Sequence, residues 1–478
     1  VQILDPATGT GTFLAEVVRF IYDKKFKSMQ GAWSKYVDEH LIPRLNGFEL
    51  LMASYSMAHL KLDMLLQETG YKSTKNQRFN VYLTNSLEEH HPDTGTLFSS
   101  WLSTEANEAN HIKRDTPVMC VIGNPPYSLS SSNKGTWIEQ LVFDYKKNLN
   151  EQNLNALSDD YVKFLRLSQF LIDNNKYGIV AMITNNSFID GITQRQMRDS
   201  LISSFNKIYI YDLHGSAKRK EKAPDGSKDQ NVFDIQQGVS INIFIKNESQ
   251  NGCKILHFDS YGSRDIKYKK LIKQTVNNIA WSEITPYKPD YFFVPKNIDG
   301  MKKYNEWFRI NDIFKIKGNG IKFRKDNLLV KNNFSKEDVV QMISDVTHLS
   351  NEEVYRKYDF SETKDWKIEE KRKLFTLNDT HNIISVNYRQ FDKRYTYYPL
   401  SKISEIIVRG DSRRQLMQNY ITDTNYGLIV GRQGQVVGDM FWNLVFITDM
   451  PSDMNIFYRG GGINFPIFIY NHDGSNVL

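Results

Sequence analysis

Cysteine is nearly absent from this chain of 478 residues: only Cys120 and Cys253 occur, far apart and in apolar surroundings. That excludes a disulfide framework and suggests a reducing compartment. There is no run of about 18 apolar residues, so no membrane-spanning helix is expected, and no secretory leader is expected either. The 10 histidines and two cysteines show no metal-ligand spacing, and the adjacent pair His90-His91 in a polar loop reads as solvated, so no metal is expected. Repeats and low-complexity tracts are also missing.

Charge is modest in sum and uneven in place. The net charge is +6, yet residues 261–331 alone hold 16 Lys/Arg against 7 Asp/Glu, a local +9. A basic segment beside a balanced one suits a polyanionic partner, although a solvated face has the same composition.

The chain opens on Val1-Gln2-Ile3-Leu4-Asp5, apolar up to an acid. It then turns through Pro6-Ala7-Thr8-Gly9-Thr10-Gly11, after which Phe13, Leu14, Val17, Val18 and Ile21 recur at helical spacing. Strand, glycine-rich turn and helix in this order are the entry to nucleotide-binding α/β domains. The turn lacks the Lys-Ser/Thr ending of a phosphate loop, which excludes that chemistry. Asp5 can meet a cationic or hydroxyl group at the strand end, where glycines let a ligand approach the backbone.

Further strands are expected over Leu45 to Phe48, ending at Glu49; over Val81 to Thr84, with Asn85 at its exit; and over Val118 to Ile122. Helices are expected from about Leu50 to Gln67, Asp159 to Leu171 and Thr193 to Ile202. Gly178 to Thr184, Lys207 to Leu213 and Gly238 to Ile245 complete seven strands, the last able to run antiparallel because no long crossover precedes it. The expectation is a doubly wound α/β domain with a seven-stranded mixed sheet. An acid ending the second strand suits ribose hydroxyls, with a helix N-terminal Glu favoured by the dipole as the alternative. The polar stretch from Ser128 to Asp160, with Ser130-Ser131-Ser132-Asn133-Lys134-Gly135, has the length of a lid.

The fourth strand leaves through Asn124-Pro125-Pro126-Tyr127. Each residue has a task if the substrate is a planar amine. The Asn124 oxygen accepts one amine proton and the Pro125 carbonyl the other, while prolines remove nearby N–H donors. Tyr127 offers a face on which an extruded base can stack. A strand-ending turn has the same residues. Between the last two strands lies His214 to Lys222, with Lys218, Arg219, Lys220 and Lys222 suited to phosphate contacts or to a solvated loop. Phe233 follows as a second stacking face or a core anchor. Beyond residue 260 come aromatic-rich pieces (Tyr291-Phe292-Phe293, Trp307-Phe308, Phe441-Trp442), a helical stretch around Lys336 to Tyr358, and Tyr388 to Tyr398. The last mixes aromatics with Arg389 and Arg394, as nucleic-acid contact or as strands with polar outer faces.

Asp5-Pro6-Ala7-Thr8-Gly9-Thr10-Gly11-Thr12-Phe13-Leu14 followed by Asn124-Pro125-Pro126-Tyr127 resembles motifs I and IV of the gamma-class methyltransferases acting on adenine N6 in DNA. The resemblance implies S-adenosylmethionine as cofactor, held by Asp5, Ala7, Thr8, Gly9, Gly11 and Phe13, with Glu49 as the ribose-binding acid. Asn85, beside Ser86, stands where the family usually has an Asp at the cofactor adenine. It implies Asn124, Pro125, Tyr127 and Phe233 as the groups around a flipped adenine. Asp212-Leu213-His214-Gly215, Asn231 to Gly238 and Tyr388 to Tyr398 look more narrowly like Type ISP and Type IIG restriction–modification polypeptides. Those are cytoplasmic in bacteria and archaea, with the methyltransferase between upstream nuclease or helicase parts and a downstream recognition domain. Expected domains are therefore 1–260, catalytic, and 261–478, a less regular α+β region for DNA recognition and coupling, which looks incomplete. The family's motif X precedes motif I, so the chain is expected to be part of a larger polypeptide. Double-stranded DNA with one flipped adenine is the implied partner. Rival readings are methylation of a protein glutamine or of RNA guanine N2, each a planar amine, and a silent recognition scaffold.

Overall fold

A computed structural model describes the chain except residues 74, 76, 90–96, 130, 152, 249–251, 409, 433–440, 458–460 and 471–478. His90, His91 and Ser130, singled out from sequence, lie outside the described residues. The chain divides into two compact units, Val1–Asn297 and Ile298–Leu478.

The first unit is built on one nine-stranded sheet. Its strands are β1 (Gln2–Asp5), β2 (Leu45–Glu49), β3 (Asn80–Leu83), β4 (Val118–Gly123), β5 (Gly178–Asn185), β6 (Lys207–His214), β7 (Val239–Lys246), β8 (Lys254–Asp259) and β9 (Ser282–Ile284). Their order across the sheet is β3-β2-β1-β4-β5-β7-β6-β8-β9. β1, β2, β3, β4 and β5 are parallel, and β7 runs antiparallel between β5 and β6. The link from β6 to β7, residues 215–238, contains no helix to carry the chain back across the sheet, and the two strands pair antiparallel. All seven expected strands are present. β8 and β9 extend the sheet beyond β6, β8 parallel and β9 antiparallel. The segment 261–297, assigned from its charge to the second region, thus lies in the first unit.

The chain winds outward from β1 to β3 on one side and restarts at β4 on the other. The crevice between β1 and β4 is therefore the point where strand order reverses, where open α/β sheets bind ligands. The helix α1 (Thr12–Ile21) follows β1, α2 (Met52–Glu68) follows β2, and α3 (Leu97–Arg114) leads into β4.

The stretch 128–160 differs from the lid expected. It contains the helix α4 (Thr136–Phe143), whose Ile138 and Val142 are fully buried with Tyr145 in the main core. Apolar residues at positions 138, 141, 142 and 145 carry a helical repeat hidden in polar composition. Next, α5 (Asp160–Asp173) is buried on nearly every side, and α6 (Arg195–Ser204) precedes β6.

The second unit has its own core around Trp366, Tyr397 and Tyr398. The helical stretch at 336–358 is two helices, α7 (Lys336–His348) and α8 (Asn351–Tyr358), each opened by a serine capping box at Ser335 and Ser350. Tyr388 to Tyr398 falls on a hairpin of β10 (Ile383–Arg389) and β11 (Asp392–Tyr397). A separate antiparallel sheet of four strands includes Gly427–Val430 and Ile463–Pro466.

Candidate active site

Motif I is closed by β2. The Thr8 N–H donates to the Phe48 carbonyl at 3.0 Å, and the Thr8 hydroxyl to the Asp5 carbonyl at 2.9 Å. The Glu49 carboxylate accepts from the Gly9 N–H and the Leu51 N–H, both at 2.8 Å. Glu49 thus fixes the glycine turn, and each oxygen keeps a second lone pair for a hydroxyl. Gly9 has φ +55, and a Cβ there would meet nothing within 4 Å, so the turn opens onto free space.

Asp5 is fully buried. Its Oδ1 accepts the Ala7 N–H at 3.1 Å, and Oδ2 has no hydrogen-bond partner. Burial pushes its pKa up to about 7, opposed by the Ala7 bond and reinforced by the charge of Glu49. A carboxyl in this state gains from a cation arriving at the turn. Phe13 lies in the first turn of α1, and Ala7 packs against the main core.

β4 delivers the second motif beside the first. Ile3 is opposite Cys120 and Leu4 opposite Val121, so the end of β4 lies against Asp5. The approach is close: a Cβ on Gly123 would sit 2.8 Å from Asp5 Oδ1. Pro125 is buried and Asn124 exposed. The Tyr127 hydroxyl donates to Asn124 Oδ1 at 2.9 Å, which orients the amide and leaves its second lone pair. The Tyr127 ring stands edge-on to the buried Tyr161, centroids 6.2 Å apart. Its pKa is raised by burial and by Asp159, so the hydroxyl stays a donor.

Residues that sequence reasoning missed hold this exit in place. Asp159 accepts the Ser128 N–H at 2.7 Å. Buried Asp160 accepts from the Ser131 hydroxyl at 2.6 Å and from Asn133 Nδ2 at 2.9 Å. Lys163, 1 % exposed, reaches Glu139 at 2.9 Å and the Asn133 carbonyl. Their only signal in sequence was a run of charged positions in an otherwise apolar helix. Asn85 donates to Asn133 Oδ1 at 3.0 Å and accepts the Leu87 N–H, and the Ser86 hydroxyl donates to the Pro6 carbonyl at 2.5 Å. The third strand exit is thereby tied to the first motif and to the segment that follows the second.

Phe233 and Tyr127 pack against one apolar cluster of Tyr211, Leu213, Val232 and Val239. Asn231 stitches the Phe233 segment to the basic loop, donating to the Gly215 carbonyl at 3.2 Å and the Gln237 carbonyl at 2.6 Å. An open cleft of about 1130 Å³ has Phe233, Lys220, Lys222, Lys228 and Arg264 in its wall. Lys218, Lys220 and Lys222 are exposed, while Arg219 forms a two-bond pair with Asp190 at 2.9 and 3.0 Å. In the second unit Arg389 is held by buried Asp453 at 2.9 Å, and Arg394 by Asp392 at 2.7 Å with its guanidinium over Phe334. Both are engaged within their own unit.

The strand order, with its antiparallel β7 and a glycine turn after β1, defines the S-adenosylmethionine-dependent methyltransferase fold. Residues 46–218 match the Eco57I restriction-modification methylase family, and residues 312–478 match the Type ISP C-terminal specificity domain. The methylase model matches within the first compact unit and the specificity model within the second. Three solved structures share the fold across both parts. A nuclease-deletion mutant of the Type ISP restriction-modification enzyme LlaGI, in complex with a DNA substrate mimic, is 22 % identical, with TM-score 0.67 over 99 % of this chain and 46 % of that one. The ATP-dependent Type ISP enzyme LlaBIII bound to DNA is 24 % identical, with TM-score 0.70 over 100 % and 33 %. The DrdV–DNA complex is 21 % identical, with TM-score 0.65 over 99 % and 47 %. This chain thus spans between a third and a half of the length of those chains. No curated protein matches it in sequence.

Proposed function

We propose that this chain transfers the methyl group of S-adenosylmethionine to N6 of an adenine flipped out of DNA, as the modification part of a restriction–modification enzyme. The observation that carries this reading is the exposed Asn124 amide, oriented by Tyr127, directly beside buried Asp5 and the glycine turn. The DNA-bound state of the three related structures supports the substrate.

The unpartnered Asp5 oxygen and the open space over Gly9 fit a cationic cofactor, with Glu49 available to its ribose. When bound, the cofactor supplies an electrophilic methyl on sulfur. Adenine N6 is a weak nucleophile because its lone pair is delocalised into the ring. Asn124 Oδ1 accepts one amine proton and the Pro125 carbonyl the other, which favours a pyramidal nitrogen with its lone pair free. An amide cannot act as a general base, so positioning and polarisation carry the rate. The methylated nitrogen then bears positive charge and gives up one proton to water. Flipping costs a few kcal/mol, offset by stacking on Tyr127 and Phe233. Lys218, Lys220 and Lys222 are assigned to phosphate contacts.

The test is Asn124→Ala. Transfer falls by at least about 10²-fold, while S-adenosylmethionine affinity stays within a few-fold of wild type in a titration. Loss of cofactor binding in a folded variant would overturn the assignment of Asn124. Methylation of a protein glutamine or of RNA guanine N2 uses the same acceptors, but the specificity domain over 312–478 has no task in either.

A further inference from the structure

Methyl transfer leaves one group of side chains without a role, at the carboxyl ends of β6 and β8. These strands are parallel, with Asp212 opposite Asp259 and Ile210 opposite His257. Residues two apart on a strand share a face, so Asp212, Asp259 and His257 project together. Carboxylates directly across a ladder repel each other, and Asp212 is 3 % exposed.

His214 relieves part of that repulsion. Its Nε2 lies 2.8 Å from Asp259 Oδ1 and its Nδ1 2.9 Å from Glu221 Oε1, with Asp212 Oδ2 at 3.6 Å and the ring stacked on Tyr261. One imidazole thus faces three carboxylates, and the nearby Arg219 is already paired with Asp190. Asp212 Oδ1 is taken by Asn186 at 3.0 Å and the His214 N–H at 2.9 Å, which directs its Oδ2 toward the group.

The second observation is His257. It is 1 % exposed, yet among the described residues neither ring nitrogen has a hydrogen-bond partner, and its Nδ1 lies 3.6 Å from Asp259 Oδ2. Buried polar groups are normally satisfied, and an exception calls for an explanation. Either ring nitrogen of a neutral imidazole can present a lone pair, depending on the tautomer. One ligand atom each from Asp212, His257 and Asp259 lie within 4.8 Å of one another.

We propose that Asp212, His257 and Asp259 bind a divalent first-row metal ion, Zn²⁺ or Mn²⁺. One imidazole nitrogen and two carboxylate oxygens suit these ions rather than Cu(I) or an iron–sulfur cluster. In tetrahedral coordination, donors about 2.0–2.2 Å from one ion lie about 3.3–3.6 Å apart, so the triad draws in by up to about 1.5 Å on binding. A cleft of about 250 Å³ with Asp212, His214, Glu221, Asp259 and Tyr261 in its wall gives the ion an entry path and room for water. His214 then bonds the outer oxygen of a metal-bound Asp259 and, through Glu221, fixes the start of the basic loop. The ion's role is to clamp that loop to the sheet. Asp212 and Asp259 are 47 residues apart in sequence, which is why no linear spacing displays the set.

The test strips the full chain with a chelator and titrates it with Zn²⁺ alone and Mn²⁺ alone. The expected result is one ion per chain, a thermal midpoint that rises with ion concentration, and a zinc-edge absorption spectrum with one imidazole and otherwise oxygen donors. His257→Gln and Asp259→Asn abolish uptake, and His214→Gln weakens it by about 10- to 100-fold. Absence of saturable uptake overturns the proposal, as does uptake that survives both ligand substitutions. Should the variants not fold, the wild-type spectrum decides: zinc bound without imidazole, or with sulfur, is equally fatal.

Discussion

Gly123→Ala tests whether the two motifs are mechanically one site. The added Cβ would lie 2.8 Å from Asp5 Oδ1, 3.6 Å from Asp5 Cγ and 3.7 Å from Pro6 Cδ. Ordinary contact begins near 3.4 Å, so Asp5 or the end of β4 has to give by about 0.6 Å, the difference between 3.4 and 2.8. Asp5 is fully buried and held by the Ala7 N–H, so the shift moves the glycine turn with it. Overpacking of this kind costs about 1–3 kcal/mol. If S-adenosylmethionine requires the unstrained turn, its affinity falls by about 5- to 150-fold, at 1.4 kcal/mol per factor of ten. Calorimetric titration with the cofactor, alongside a thermal scan, reads both effects. Wild-type affinity together with a wild-type midpoint would refute the packing of β4 against Asp5.

Other outcomes follow from particular side chains. Asp5 has a folded-state pKa raised from 3.8 to about 7, so its contribution to stability is complete below the lower value and lost as pH rises through the upper one. The stability gap between wild type and Asp5→Asn therefore shifts against wild type by roughly 4 kcal/mol from pH 3.8 to above 7, and denaturant melts across that window show a flat gap if the reasoning is wrong. Lys267→Met strands Asp229, both residues being fully buried and 2.8 Å apart, and costs about 3–5 kcal/mol; a thermal midpoint within a degree of wild type contradicts that. Lys218→Ala and Lys222→Ala each lower the slope of log DNA affinity against log salt by about one, an effect seen in binding curves at several salt concentrations. Arg389→Ala leaves Asp453 buried without its cation, so loss of stability exceeds any loss of salt slope, and the reverse ranking assigns Arg389 to phosphate instead.

Legibility in the sequence followed the physics of each element. The seven strands were readable because buried strands are short apolar runs bounded by Gly, Asn or an acid, as in Val118 to Asn124. β8 was passed over: Lys254-Ile255-Leu256-His257-Phe258-Asp259 joins the sheet edge, and polar residues interrupt its run. α4 was hidden by Asn and Lys on both sides. At the site, Asp5, Glu49 and Asn124 were named from their positions at strand ends, where side chains leave the sheet toward the crevice. Asp160, Lys163 and Asn133 were not, because a buried charge satisfied by partners 27 to 30 residues away has no local pattern. Arg389 and Arg394 read as nucleic-acid contacts or as polar outer faces of strands, and Asp453, the buried carboxylate that holds Arg389, lies 64 residues downstream with no local signal.

The most direct test of the central claim is a transfer assay with methyl-labelled S-adenosylmethionine and a mixture of genomic DNA, RNA and cell protein, with Asn124→Ala as control. The account predicts label that DNase releases, recovered as N6-methyladenine and absent with the variant. Label in protein or RNA, or label in DNA that persists in Asn124→Ala, would contradict it.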